Sequence, residues 1–427
     1  MRAHIDPTNE AACDKKKAKS GTRLLRAVLG GLLAAALAVG GLCAILPGLG
    51  KADDRKLYDY LYSDIRSRYP SFVTQNMSPN SYLAFGSSEF STPKSLVPTV
   101  PAAVFGEHNT GVDMTFVGTA FDQSLWQAIA AGAYDGTTPK KKITLILSPQ
   151  WFFKGNGAQW AFKRIFSYEL YRQFCDNPNI SEETKAYVRK RLGELGIDKT
   201  SLAAANKDTF IDELNDRIFT FGNELNARRQ IRWLNADAPY KTAERRESTT
   251  PVEPDWNALM EQGRTAGKAK CTNNEYGVYN SYFTQKAPLN SEKDETFSQA
   301  DREYEDLRSF MRVCRECGWE PLVVMLPVHG SWYDRQNVTT EERQGYYARV
   351  RAICNEAGYP YADFSSCEYE KYFLCDMTHP GWVGWVRIEK AIYSFINDRD
   401  DAFLGGGSFG EAEGLSEADL KAINGDD

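Results

Sequence analysis

Three observations predict an α/β fold in which a parallel sheet of five strands is covered by helices on both faces. Short apolar or β-branched runs stop at glycine, serine or proline, amphipathic stretches of helical spacing follow most of them, and the alternation recurs along residues 81–397. One uncharged stretch long enough to cross a bilayer stands ahead of this region, and one long helical insertion interrupts it.

The uncharged stretch is residues 27–46, AVLGGLLAAALAVGGLCAIL, which as a helix covers roughly 30 Å, the thickness of a bilayer's hydrocarbon core. Lys15, Lys16, Lys17, Lys19, Arg23 and Arg26 precede it, whereas Lys51 and Arg55 after it are offset by Asp53 and Asp54. The excess of positive charge before the span predicts that residues 1–26 are cytoplasmic and that everything beyond the span lies outside. A cleaved signal peptide would want a shorter apolar core and a small-x-small exit, and Pro47-Gly48-Leu49-Gly50-Lys51-Ala52 is a poor one. Leu42 before Cys43 is not the small residue that lipidation requires. Residues 47–80 read as a neck, polar and helical-looking from 53 to 69.

The first strand, residues 81–85 (SYLAF), ends in Gly86-Ser87-Ser88-Glu89. The second, 113–117, ends at Gly118 and leads into the amphipathic FDQSLWQAIAAGAY. The third, 143–147 (ITLIL), stops at Ser148-Pro149-Gln150-Trp151-Phe152. Residues 158–297 then turn rich in Arg, Glu, Asn and Ala at helical spacing, and read as the insertion. The β/α rhythm resumes with a helix over 299–317 that turns Tyr304, Leu307, Met311 and Cys314 inward, followed by the strand 321–326 (PLVVML). A further helix buries Tyr346, Val350, Ile353 and Cys354 and ends near Gly358, before the fifth strand at 361–364. The last helix, 382–396, buries Ile388, Ile392 and Phe395, and residues 398–427 read as a solvated acidic, glycine-rich tail without a packing role.

The formal charge is −6, but residues 1–26 hold seven Lys/Arg against three Asp/Glu, which leaves 44 against 54 on the rest. An acidic exterior argues against nucleic acid as a partner. Of nine cysteines, seven lie beyond the span, an odd number, so at least one is free or pairs between chains. Cys314-x-x-Cys317 has neither a second Cys-x-x-Cys nor a nearby His pair, so structural or free thiols are expected in place of a metal site.

Only four histidines exist, and His4 precedes the span, leaving His108, His329 and His379 for any base outside. His108 stands in a polar loop, and His329 follows the fourth strand, where it is placed to line a site. His379 stands in Cys375-Asp376-Met377-Thr378-His379-Pro380-Gly381-Trp382, directly before a helix. Asp376, three residues ahead, can fold back to fix the imidazole's tautomer, as serine-enzyme catalysis needs; helix capping by Asp376 or Thr378 is the plainer reading. Gly86-Ser87-Ser88-Glu89 is a strand-to-helix turn that exposes a hydroxyl beside N–H groups able to hold an oxyanion. It is not the Gly-x-Ser-x-Gly elbow of the α/β-hydrolases.

A serine after the first strand and Asp-x-x-His before the last helix resemble the SGNH/GDSL hydrolase-like superfamily, a flavodoxin-like fold. Within it, Gly-Ser-Ser-Glu, Ser148-Pro149-Gln150-Trp151-Phe152, Pro327-Val328-His329-Gly330-Ser331-Trp332-Tyr333-Asp334, and Asp376-x-x-His379 followed by Gly384-Trp385 look like the DltD family of extracellular D-alanyl-lipoteichoic acid biosynthesis proteins. The resemblance implies Ser88 as nucleophile, with Ser87 as the alternative, His379 as base and Asp376 as its orienter. It implies Gly118 as an oxyanion N–H donor and Gln150 as a weaker counterpart of the superfamily's block-three Asn. His329 stands where Asn is more usual. It further implies a teichoic acid acceptor, a membrane O-acyltransferase partner, a cytoplasmic D-alanyl carrier protein as indirect donor, and no metal or organic cofactor. An esterase or thioesterase of the same fold, and a non-catalytic scaffold of the D-alanylation machinery, are the alternatives.

Overall fold

The structure is a computed structural model of the 427-residue chain and describes residues 7–45, 53, 55–58, 61, 63–74, 77–78, 81–153, 158–243, 248, 250–286, 297 and 301–425. It divides into two compact units, Met1–Lys51 and Ala52–Asp427. The first is the helix Pro7–Ile45, in which Thr22–Gly41 is long and apolar enough to cross a membrane. Leu46, the last residue of the expected span, lies outside the described residues.

The second unit is built on a sheet ordered β2-β1-β3-β4-β5-β6. Strands β1 (Ser81–Phe85), β2 (Asp113–Val117), β3 (Lys142–Leu147), β4 (Glu320–Met325) and β5 (Tyr361–Asp363) are parallel neighbours, in registers such as Phe85 opposite Val117 and Leu145 opposite Val323. Their near-continuous apolar composition suits strands covered on both faces. Side chains alternate accordingly. Leu83, Phe85, Leu145, Leu147, Val323 and Met325 join the core beneath the helices Ser124–Ala133, Asp301–Cys317 and Thr340–Ala357. Ala84, Met114, Phe116, Ile146, Leu322 and Val324 join that beneath Pro101–Glu107 and Trp382–Ile396. Helix ends follow sequence signals: Thr339 and Glu342 form a reciprocal cap, and Gly358, at φ 77°, closes the same helix in the left-handed conformation.

The expected five-stranded parallel sheet is corrected to a mixed sheet of six. Strand β6 (Leu404–Gly405) runs antiparallel to β5, Tyr361 opposite Gly405. Two residues in a glycine-rich stretch carry no readable periodicity; Phe403 and Leu404 are drawn in by burial, and the Asp363 N–H donates to the Phe403 carbonyl at 2.8 Å. The stretch read as a solvated tail also packs. It ends in the helix Glu417–Asn424, whose Asn424 side chain donates to the Tyr369 carbonyl at 3.0 Å.

The neck is likewise part of the fold, not a helical stalk. Tyr58, Ile65, Phe72 and Val73 are buried, among the described residues only Ile65–Arg68 and Pro70–Thr74 form α-helix, and the Leu57 N–H donates to the Pro239 carbonyl at 2.9 Å. Between β3 and β4 the chain forms a series of helices, the longest Phe210–Asp237, with no strand among the described residues there.

Candidate active site

In a sheet ordered β2-β1-β3, the connections leave β1 and β3 toward opposite faces, opening a crevice beyond their carboxyl ends. Ser88 stands there, opening a 3-10 turn (Ser88–Ser91) three residues past β1. The fit after β1 is tight: a Cβ on Gly86 would come within 2.6 Å of the Phe90 ring. From the far end of the chain, the Leu374–Pro380 bridge closes a loop that holds Asp376 and His379.

The three groups form one hydrogen-bonded chain. His379 Nε2 lies 2.8 Å from Ser88 Oγ, and His379 Nδ1 lies 2.8 Å from Asp376 Oδ2. The other carboxylate oxygen, Asp376 Oδ1, accepts the backbone N–H groups of Thr378 at 2.9 Å and His379 at 2.8 Å. The helix capping of the plainer reading is not found, since Gly381 caps Trp382–Ile396 without a side-chain bond; Asp376 instead holds its own loop and orients the imidazole. Ser88 and His379 remain partly exposed, while Asp376 is buried. Ser87 points elsewhere: its hydroxyl is buried and has no hydrogen-bond partner among the described residues.

Burial opposes charge on His379, but the facing Asp376 carboxylate outweighs it and raises the imidazole above its usual value, with Glu89 acting in the same direction. Burial also works against Asp376's charge, yet His379 and the two backbone N–H groups hold that carboxyl below its usual range. A general base must be neutral, so acylation of Ser88 by a small activated ester is expected to rise with pH through a midpoint above the ordinary imidazole value of 6.5. Asp376 is already ionised across that range and adds no second limb. A midpoint at or below 6.5 in the pH–rate profile would contradict this electrostatic account.

Two buried carboxyls stand near the site: Glu89, part of the Gly-Ser-Ser-Glu motif, and Asp122, which gave no sequence signal. Glu89 accepts the Ser87 N–H at 2.7 Å; burial raises its pKa, and it lies close enough to His379 for each to bias the other's protonation. Asp122 Oδ2 accepts the Ser67 hydroxyl at 2.5 Å and the Thr119 N–H at 2.6 Å, and burial raises its pKa well above normal. These bonds pin the turn after β2, where Gly118 has φ 112° and a Cβ would overlap the Gly86 carbonyl oxygen. Only glycine fits that approach. Ser67 comes from the neck, so the neck braces this turn, and its neighbour Arg66 lies 5.8 Å over the Phe90 ring.

The other candidates are placed as follows. Gln150 is half-buried in the 3-10 turn Pro149–Phe152 after β3. His329 is buried beside the Tyr276 and Trp332 rings, with Nε2 2.9 Å from the Tyr276 carbonyl oxygen; burial lowers its pKa, so it is a neutral donor in a packed wall, not a second base on Ser88. The seven cysteines beyond the span are free thiols, Cys314 and Cys317 among the buried ones.

Comparison with known proteins agrees with the motifs. The chain is 29% identical over 328 residues to Protein DltD of Bacillus subtilis (strain 168), which covers 73% of this chain and 81% of that protein. Protein DltD of Staphylococcus aureus (strain NCTC 8325 / PS 47) is 26% identical over 321 residues, 73% of this chain and 80% of its own. That of Lacticaseibacillus rhamnosus is 23% identical over 340 residues, 75% and 78% respectively. Residues 65–397 match the family described as DltD protein, and that match spans the neck helix, the five parallel strands and the Ser88, Asp376 and His379 positions: the chain belongs to the DltD family.

Proposed function

We propose that the protein is a serine-dependent O-acyltransferase that delivers D-alanyl groups to teichoic acid on the outer side of the membrane, using an SGNH-hydrolase-like catalytic fold. The observation that carries this reading is the unbroken chain Ser88–His379–Asp376, with both contacts at 2.8 Å. Ser88 Oγ attacks the D-alanyl carbonyl while His379 Nε2 takes its proton, and Asp376 stabilises the imidazolium. The leaving group departs with that proton, leaving D-alanine as an ester on Ser88. A glycerol- or ribitol-phosphate hydroxyl of teichoic acid then attacks, gives its proton to His379, and Ser88 is restored.

In this reading the N–H of Gly118 and those of the Ser88 turn receive the oxyanion, with Gln150 as a weaker contributor. Residues 1–26 lie inside, the apolar helix anchors the chain, and residues 81–397 form the catalytic domain. D-alanine reaches it from a cytoplasmic carrier protein through a membrane O-acyltransferase partner. Partial exposure of Ser88 and His379 also favours a second reading, in which water is the acceptor and the protein is an esterase or thioesterase.

Full-length protein in membranes, treated with a serine-directed fluorophosphonate, is expected to lose fluoride and carry the phosphonyl group on Ser88, and His379→Ala is expected to prevent it. Labelling at Ser87, or none, refutes the proposed nucleophile. Rapid turnover of simple esters by the purified protein, lost on His379 replacement, favours the hydrolase.

A further inference from the structure

The helix Phe210–Asp237 turns an unusual face to solvent. Phe210 is 81% exposed, and Ile211, Leu214, Ile218 and Phe221 are between 37% and 67% exposed. At about 100° per residue these five share one stripe roughly a quarter-turn wide, while Asp216, Ala227 and Ile231 are buried on the other side. Contiguous exposed apolar patches on a folded unit mark a surface that meets something.

The same stripe continues as Arg228, Arg229 and Arg232, with Trp233, 67% exposed, at its edge. Among the described residues Arg229 and Arg232 have no ion-pair partner. Beyond residue 26 the chain carries 44 Lys/Arg against 54 Asp/Glu, so this basic run is a local exception. Large apolar side chains with Arg and Trp on one helical face suit an anionic lipid surface: the apolar groups enter the headgroup boundary and the guanidinium groups meet phosphates.

Chain connectivity selects the same occupant. The end of this helix is tied to the neck, where Lys56 and Tyr58 both bond to Asn235, and the Lys241 N–H donates to the Arg55 carbonyl at 2.7 Å. Only seven residues separate Ile45, where the membrane-length helix ends, from Asp53. Seven fully extended residues reach roughly 25 Å at most, so a bilayer is the surface this face meets at high effective concentration.

We propose that the Phe210–Trp233 face of this helix docks on the anionic bilayer that holds the chain's own anchor. The catalytic unit then works seated on the membrane surface, not free on its tether.

The test uses the full chain reconstituted in phosphatidylcholine–phosphatidylglycerol vesicles, with Ile218→Cys carrying an environment-sensitive fluorophore and wild-type protein labelled in parallel as background. Blue-shifted emission and quenching by spin-labelled lipid are expected. The docked-to-undocked ratio is expected to fall on the order of tenfold in Arg229→Glu/Arg232→Glu, and similarly in pure phosphatidylcholine. Arg229→Gln/Arg232→Gln, with circular dichroism unchanged, separates charge from misfolding. The proposal is overturned by an unquenched label, by quenching indifferent to lipid charge and to both arginines, by shielding that appears only with the membrane acyltransferase present, or by shielding that scales with protein density as self-association would.

Discussion

Full-length protein carrying Ser88→Ala is expected to reach the membrane at the wild-type level and to leave the cell's teichoic acid without D-alanyl ester. The substitution removes one oxygen from a partly exposed side chain, so its effect on stability is expected within about 0.5 kcal/mol. Its effect on chemistry is expected to be complete, because among the described residues no other hydroxyl bonds His379 Nε2. Thr378 Oγ lies 3.4 Å from the opposite ring nitrogen, and the Ser87 hydroxyl is buried without a partner among the described residues. Ester content measured on teichoic acid from cells that depend on the variant decides the matter. Wild-type ester levels would make the triad decorative and leave the scaffold alternative standing.

Asp376→Asn is expected to fold and to slow acylation of Ser88 by roughly 10³–10⁴-fold. The amide keeps a carbonyl oxygen that can still accept the Thr378 and His379 N–H groups, so the loop holds its shape. What changes is the group facing Nδ1. An amide N–H there donates, which forces the imidazole's proton onto Nε2, the nitrogen that must accept from Ser88. The imidazolium also loses its counter-charge. Phosphonylation rates of variant and wild type, at equal amounts of folded protein, measure the effect. A loss below about tenfold would assign Asp376 to loop capping alone.

Much of this site was legible because its parts are local in sequence. The five parallel strands are apolar runs bounded by Gly, Ser or Pro, and they stand within a residue or so of where the pattern put them. The pairing of Asp376 with His379 was legible because histidine is scarce and because the two are three residues apart, a separation one loop can close, whereas Ser88 was singled out by the family resemblance. What escaped was long-range. Ser67 meets Asp122 across 55 residues, and Leu57 meets Pro239 far along the chain, so no local pattern marks either the buried carboxyl or the packed neck. Glu89 stands in the Gly-Ser-Ser-Glu motif, but only the depth of the turn shows that it is enclosed. Strand β6 is two residues long and takes its conformation from its neighbour.

The hydroxyl of Ser67 sets a limit on how this family member can vary in length. Long additions to an unpacked connection cost a chain little, growing only with the logarithm of loop length. A residue inserted within the helix Ile65–Arg68 would instead turn either Ile65 out of the core or Ser67 away from Asp122. Length is thus closed to evolutionary adjustment in this short helix, and an insertion there would be felt at the turn beside Ser88.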